Sequence, residues 1–194
     1  MIGLKRHTVR VVDHNPIWSH LAAEACQQVR EAAGELITDV QHVGSTAVPN
    51  LPAKPILDLA AAMITLDAIP ELIEKLTALG YIYRGDGGDT GGHLFVWEPE
   101  PNIRSVHLHV VASDDVQWTN YLSFRDLLCE DPAVRGRYAA LKHELRTRFP
   151  DDRKSYTDSK HDFIRSVLNT NAQPEVGQVS PQPARCAAPD EPST

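Results

Sequence analysis

Between Pro55 and Met63 the sequence reads PILDLAAAM, an apolar run broken by a single charge, Asp58. The run is far shorter than the ~18 residues a membrane span needs. It suits a strand buried in a sheet with helices packed on it, carrying one functional residue. An unpaired carboxylate in such a strand is costly to bury, so Asp58 needs a metal ion, a lysine or a set of N–H donors beside it. Lys54 stands four residues earlier. Two readings are open at this point: a Lys54–Asp58 ion pair, or a phosphate-contacting lysine next to an aspartate that binds Mg²⁺.

The pattern around this strand predicts a mixture of strands and helices, then a helical end. Val9, Val11 and Val12 read as a short first strand. Asn15-Pro16 is a helix start, with Ile17, Leu21, Ala25 and Val29 at helical spacing, so a helix is predicted over 16–33. Ile37 to Val43 reads as a strand, and Ile69 to Leu79 as a helix closed by Gly80. Tyr81–Tyr83, His93–Trp97 and Ser105–Ala112 read as strands, the last two as an antiparallel pair. The segment 85–92, GDGGDTGG, is too glycine-rich for an element interior; it reads as a loop, either a lid or a hairpin connection. Helices are predicted near 114–129, 133–148 and 157–169. From Ala172 the composition shifts to Pro, Gln, Ser and Ala, so 172–194 is expected to be a disordered tail behind one domain of residues 1–171. The fold class is α+β: a mixed β-sheet flanked by helices, with a helical C-terminal subregion.

Composition narrows the function. The 194 residues carry a formal charge of −7, which argues against extended binding to nucleic acid. The start, MIGLKRHTVRVVDHN, has no sustained apolar segment, and Cys26, Cys129 and Cys186 are widely spaced. A cytoplasmic protein with reduced thiols and no membrane contact is the expectation.

Two further clusters carry chemistry. Gly44-Ser45-Thr46 follows a strand; the glycine permits close approach, and the hydroxyls and N–H groups of such a turn suit phosphate oxygens. It is not a Walker loop, which needs GxxxxGK[ST]. His107 and His109 alternate along one strand and therefore face the same way. Beside Asp58 they would complete a His₂-carboxylate metal site; otherwise they contact substrate or line a half-buried face. His42 is a further candidate for the same pocket. Arg125, Lys142, Lys154 and Lys160 supply cations from the C-terminal helices, and Ser155 with Asp158 reads as a capping box. Lys160 then lies in a first helical turn, a placement that an anionic ligand would relieve, so Tyr156 and Lys160 are expected to line the ligand pocket.

The segment HVGSTAVPNLPAKPILDL resembles the signature of the GrpB (UPF0157) family, a branch of the nucleotidyltransferase superfamily with the polymerase-β-like fold. The resemblance continues in VHLHV (106–110), WTNYLSFRDLL (118–128), YAALKHEL (138–145) and YTDSKHDFI (156–164), and it covers residues 8–169. It implies a nucleotidyltransferase-like fold. It also implies that Gly44 and Ser45 grip the phosphates of a nucleotide and that Asp58 opens a metal-binding carboxylate strand. Superfamily transferases place a second carboxylate two residues on; here that position is Ala60. An arginine expected near the glycine-rich loop is replaced by the segment Gly91-Gly92-His93.

These observations leave three functional expectations. The first is metal-dependent nucleotidyl or phosphoryl transfer to a small metabolite, on a phosphate-bearing ligand such as a nucleoside triphosphate or a CoA-related nucleotide. In it Asp58 is the metal ligand, and Gly44, Ser45, Thr46, Lys54, Arg125, Tyr156 and Lys160 form the ligand site. The second is a metal-dependent enzyme of another type, centred on Asp58, His107 and His109 with Mg²⁺ or a transition metal. The third is a binding module without turnover.

Overall fold

The computed structural model describes residues 2–6, 8, 10–88, 92–150 and 152–171. Its elements in order are β1 (Leu4–Lys5), α1 (Ile17–Ala33), β2 (Ile37–Val43), β3 (Leu57–Met63), α2 (Ile69–Leu79), β4 (Tyr81–Asp86), β5 (His93–Trp97), β6 (Ile103–Arg104), β7 (Val106–Ala112), α3 (Val116–Glu130), α4 (Pro132–Arg148) and α5 (Arg153–Asn171). Five strands form one sheet in the order β2-β3-β7-β5-β4, and β1 pairs with β6 separately. Only β3 and β7 run parallel; β2–β3, β5–β7 and β4–β5 are antiparallel. The sheet is therefore mixed, as the sequence predicts, and the apolar run 55–63 supplies an inner strand.

Side-chain alternation gives the sheet two working faces. Leu57, Leu59, Ala61 and Met63 of β3 join Val106, Leu108 and Val110 of β7 and pack under α1 and α2, through Trp18, Val29, Leu72 and Leu76. On β3 the opposite face begins with Asp58 and Ala60, and it lies towards α3. The helices α3–α5 build a second cluster with Val48 and Leu51 of the loop after β2, around Phe124, Leu128 and Tyr138. The result is two layers of helices with the sheet between them.

Local chemistry explains where the elements begin and end. Asn15 Oδ1 accepts from the Ile17 N–H at 3.1 Å, and Asp131 Oδ1 accepts from Ala133 and Val134 ahead of the Pro132 turn. Gly80 ends α2 at φ 103°, and a Cβ there would stand 2.7 Å from the Trp97 ring.

Several expectations change. The first strand is Leu4–Lys5, while Val12 makes only an isolated bridge to Ala53 and Val9 lies outside the described residues. The cap of α5 is Asp152, whose carboxylate accepts from the Ser155 N–H and hydroxyl; the helix thus begins a turn earlier than the Ser155–Asp158 spacing implies, and Lys160 lies beyond its first turn, not within it. Strand β4 runs on through Gly85 and Asp86 and pairs antiparallel with β5, so the glycine-rich segment joins hairpin partners, and its residues 89–91 lie outside the described residues. The tail 172–194 is likewise outside them. Cys26 is a buried free thiol, whereas Cys129 is disulfide-bonded, against the expectation of reduced thiols; Cys186 lies outside the described residues. No helix among the described residues is long and apolar enough to cross a membrane.

Leu108 is fully buried on β7 opposite Leu59. Leu108→Ala is expected to lower the unfolding free energy by ~2–5 kcal/mol in a urea titration. Ile64→Ala, at a side chain 73% exposed, is expected to change it by less than about 0.5 kcal/mol.

Candidate functional site

The parallel register sets Asp58 beside His107 and Ala60 beside His109. Their side chains share the face opposite α1, so the predicted convergence occurs. His107 Nδ1 lies 3.3 Å from Asp58 Oδ1, and the two imidazoles meet edge to face with centroids 6.4 Å apart. One potential ligand atom from each of Asp58, His107 and His109 lies within 4.8 Å of the others. Burial pushes the Asp58 carboxyl up, but the His107 hydrogen bond and the charges of His107, His109 and Lys160 outweigh it and hold the group below the usual carboxylate range. The Asp58 carboxylate is paired with His107.

Gly44 makes this possible from the side of β2. It has φ +68° and ψ −166°, and a Cβ on it would lie 2.9 Å from Asp58 Oδ2. The glycine therefore makes room for the carboxylate at the edge of the site. A short 3₁₀ turn, Ser45–Ala47, follows and exposes Ser45 to the cavity.

That cavity has a volume of 670 Å³ and lies between this sheet face and the helical layer. Gly44, Ser45, Lys54, Asp58, His107, His109 and Lys160 all line it. Lys54 and Lys160 gather around one ring: their Nζ atoms stand 4.2 and 4.7 Å from the centroid of Tyr156. Two cations held around one aromatic side chain give the cavity that Asp58 lines a basic wall.

Three predicted residues are placed differently. Thr46 is buried, its hydroxyl 2.9 Å from His42 Nε2 and away from the cavity. Arg125 is buried and hydrogen-bonds to the His42 carbonyl, Gln41 and Asp126, so it ties α3 to β2 and does not line the cavity. Tyr156 is 1% exposed and serves as the platform between the lysines, without lining the cavity itself. His42 also leaves the site: it pairs with Leu59, on the α1 face, and burial lowers its pKa to about 4. Lys154 is an exposed partner of Asp158 at 2.5 Å.

Two features carry little signal in the sequence. Lys142, by residue type one cation among several, is 2% exposed and donates to Ser45 Oγ at 3.1 Å and to the Pro52 carbonyl. It stands behind Ser45 and does not line the cavity. Burial, and then the charge of Lys160, lower its pKa to about 6. The second is a stripe on α3: Gln117, Asn120, Tyr121 and Phe124 line the cavity at helical spacing, and the Tyr121 ring lies 5.5 Å from that of His109. Polar and aromatic residues recurring on one helix face were the available signal.

Two measurements follow from this geometry. Gly44→Ala forces a side chain into a region of backbone space reserved for glycine, at ~1–3 kcal/mol, and against Asp58; the variant is expected to melt earlier than wild type. Lys142 carries a proton in the unfolded chain up to its ordinary value of 10.5 but loses it near 6 in the folded one. Between those values the unfolded state binds the extra proton, so this group makes stability rise with pH. Denaturant midpoints across that window are expected to lose this part of their slope in Lys142→Met.

Comparison with known proteins agrees with the fold and the motifs. The model of the GrpB protein family matches residues 8–170. The glutamate-rich protein GrpB of Alkalihalophilus pseudofirmus is 31% identical over 172 residues, covering 87% of this chain and 99% of that protein. A UPF0157 protein of Pseudomonas aeruginosa is 36% identical over 82% of this chain and 66% of its own length. A dephospho-CoA kinase of Mycolicibacterium paratuberculosis is 28% identical over 84% of this chain, which spans only 46% of that protein. Among solved structures, the crystal structure of GrpB from Enterococcus faecalis superposes with a TM-score of 0.74 at 28% identity, covering 84% of this chain and all of that one. Cid1 in complex with its short product ApU gives 0.50 at 14% identity, over 71% of this chain and 43% of Cid1, a likeness of fold alone. The chain belongs to the GrpB family and has a nucleotidyltransferase-like fold.

Proposed function

We propose that this protein binds a phosphate-bearing small molecule, a nucleotide or CoA-related nucleotide, beside one divalent cation, and transfers a phosphoryl or nucleotidyl group from it. The observation that carries the reading is the sharing of one cavity by a basic wall, Ser45 with Lys54 and Lys160, and a ligand cluster, Asp58 with His107 and His109. Phosphoryl transfer asks chiefly for positioning and for charge aimed at the phosphate oxygens, and both are on hand here. A dephospho-CoA kinase among the relatives agrees with a nucleotide of that class.

The donor set fits a metal. Two imidazoles and a carboxylate suit Zn²⁺, Mn²⁺ or Fe²⁺ better than Mg²⁺. Bonds of ordinary length around a tetrahedral ion separate ligand atoms by roughly 3.4 Å. The ligand atoms of the present cluster lie within 4.8 Å of one another, near that spacing. When bound, the ion supplies a Lewis acid next to the phosphate.

Ala60 favours a second reading, a module that binds the nucleotide without turning it over, because a two-metal site needs a carboxylate there. Turnover of the bound ligand separates the two.

Calorimetric titration with Zn²⁺ and Mn²⁺ is expected to show one site per chain that is tighter than for Mg²⁺ and weakened at least ~10-fold in Asp58→Asn or His109→Ala. With metal present, a panel of nucleoside triphosphates and dephospho-CoA should raise the melting temperature, as ligand occupancy does. Lys160→Ala should reduce that shift. No transition-metal binding would remove the His₂-carboxylate centre, and no shift with any nucleotide would remove the phosphate reading.

A further inference from the structure

Lys142 is an unusual lysine. It is 2% exposed, and its Nζ meets only neutral partners, the Ser45 hydroxyl, the Pro52 carbonyl and, at 4.7 Å, the ring of Tyr138. The titratable groups that face it are Tyr138 on its own helix and Lys160 across from α5; among the described residues no carboxylate pairs with it. A buried ammonium without a counter-ion is expensive, and such a group either meets an anion or gives up its proton. The cavity decides between these. Ser45, Lys54 and Lys160 line it, whereas Lys142 does not. A ligand phosphate therefore touches Ser45 first, and Lys142 acts on it only through the serine oxygen.

We propose that Ser45 and Lys142 form a nucleophile–base pair, in which the Ser45 hydroxyl attacks an activated phosphoryl group and Lys142 takes its proton. The inference rests on the phosphate reading of the cavity. The geometry has the parts a serine nucleophile needs: a base within hydrogen-bond reach, and a third group that orients the base. Lys142 Nζ lies 3.1 Å from Ser45 Oγ, and its bond to the Pro52 carbonyl holds the amine within hydrogen-bond reach of that hydroxyl, which donates to it once the amine is neutral. Tyr138 hydrogen-bonds to Ser45 as well, and burial raises its pKa, so it remains a phenol and does not compete as base. With a phosphoric anhydride as donor, a bond forms from Ser45 Oγ to phosphorus and the bridging P–O bond breaks. The serine proton passes to Lys142 Nζ, and the departing phosphate leaves with the bond's electron pair, its charge met by Lys54 and Lys160. Attack on the phosphoserine by the hydroxyl of the acceptor, or by water, breaks the bond from phosphorus to Ser45 Oγ; the serine oxygen recovers its proton from Lys142, and the attacking oxygen releases its own to solvent. A general base of this kind contributes roughly 100-fold or more to a rate.

A fluorophosphonate probe tests the pair without relying on the nucleotide or the metal, since fluoride is the leaving group. Mass spectrometry of the intact protein and its peptides should find one adduct on Ser45, absent from Ser45→Ala. The labelling rate should rise with pH through about 6, where Lys142 becomes a free base. Lys142→Met should label roughly 100-fold more slowly and without that inflection. If Lys142→Met does not fold, the pH profile of the wild type stands as the test. No adduct at Ser45, or a labelling rate with no inflection between pH 5 and 8, overturns the proposal. A nucleotide-induced melting shift that persists in that case leaves the phosphate reading standing on its own.

Discussion

The parallel pairing of β3 with β7 is the constraint on which the site depends. Parallel strands keep side chains of equal register on the same face, so Asp58 meets His107 and Ala60 meets His109 without any loop having to arrange them. A shift of one residue would turn Asp58 into the α1 core and bring Leu59 out. The register is held by apolar partners on the other face, Leu59 against Leu108 and Ala61 against Val110, which are fully buried. Core packing on one side of the sheet thus fixes ligand geometry on the other. The carboxylate near the start of β3 is tolerated because the neighbouring strand brings a hydrogen-bonding imidazole to it.

A second connection joins the sheet to the helical layer. The turn after β2 presents Ser45, and the side chain that grips it comes from α4, as Lys142. The same lysine reaches the Pro52 carbonyl in the loop leading to β3. Arg125 from α3 fastens the end of β2 by the His42 carbonyl. Two buried cations on separate helices therefore hold the two ends of the segment from His42 to Pro52. Both were assigned by sequence to the same pool of cations. Only their burial and partners reveal that one positions a strand and the other a hydroxyl.

Most of the fold was legible because periodicity and punctuation are local. The bounds of β2, α2 and β5 agree with the sequence pattern residue for residue, since each is an apolar repeat ended by a glycine or a polar turn. The cap of α5 was misplaced because Asp152 and Ser155 both satisfy a cap's chemistry, and only backbone geometry separates them. At the site, Asp58, His107 and His109 were legible as a set, since strand alternation puts the histidines on one face and Asp58 is the lone charge in its strand. Thr46, Arg125, Tyr156 and His42 were not. Whether a polar side chain faces a cavity or a neighbouring backbone group is decided by tertiary packing, and residue type alone does not carry that information.

The exchange of a carboxylate for Ala60 bears on how such a site balances charge. By the superfamily pattern, three carboxylates with two Mg²⁺ ions would leave a net of one positive charge beside the phosphates, and one carboxylate and two neutral imidazoles with a single divalent ion would leave the same. On the proposed reading, what Ala60 removes is the second ion, and the lysines that line the cavity, Lys54 and Lys160, beside the ring of Tyr156, meet the phosphates in its place. Ammonium groups stabilise phosphate charge as point charges but do not order an attacking oxygen as a second ion does. A site of this design needs some other way to prepare its nucleophile. The hydroxyl of Ser45, held by a buried lysine that meets no carboxylate among the described residues, is the group in this cavity whose surroundings are suited to that task.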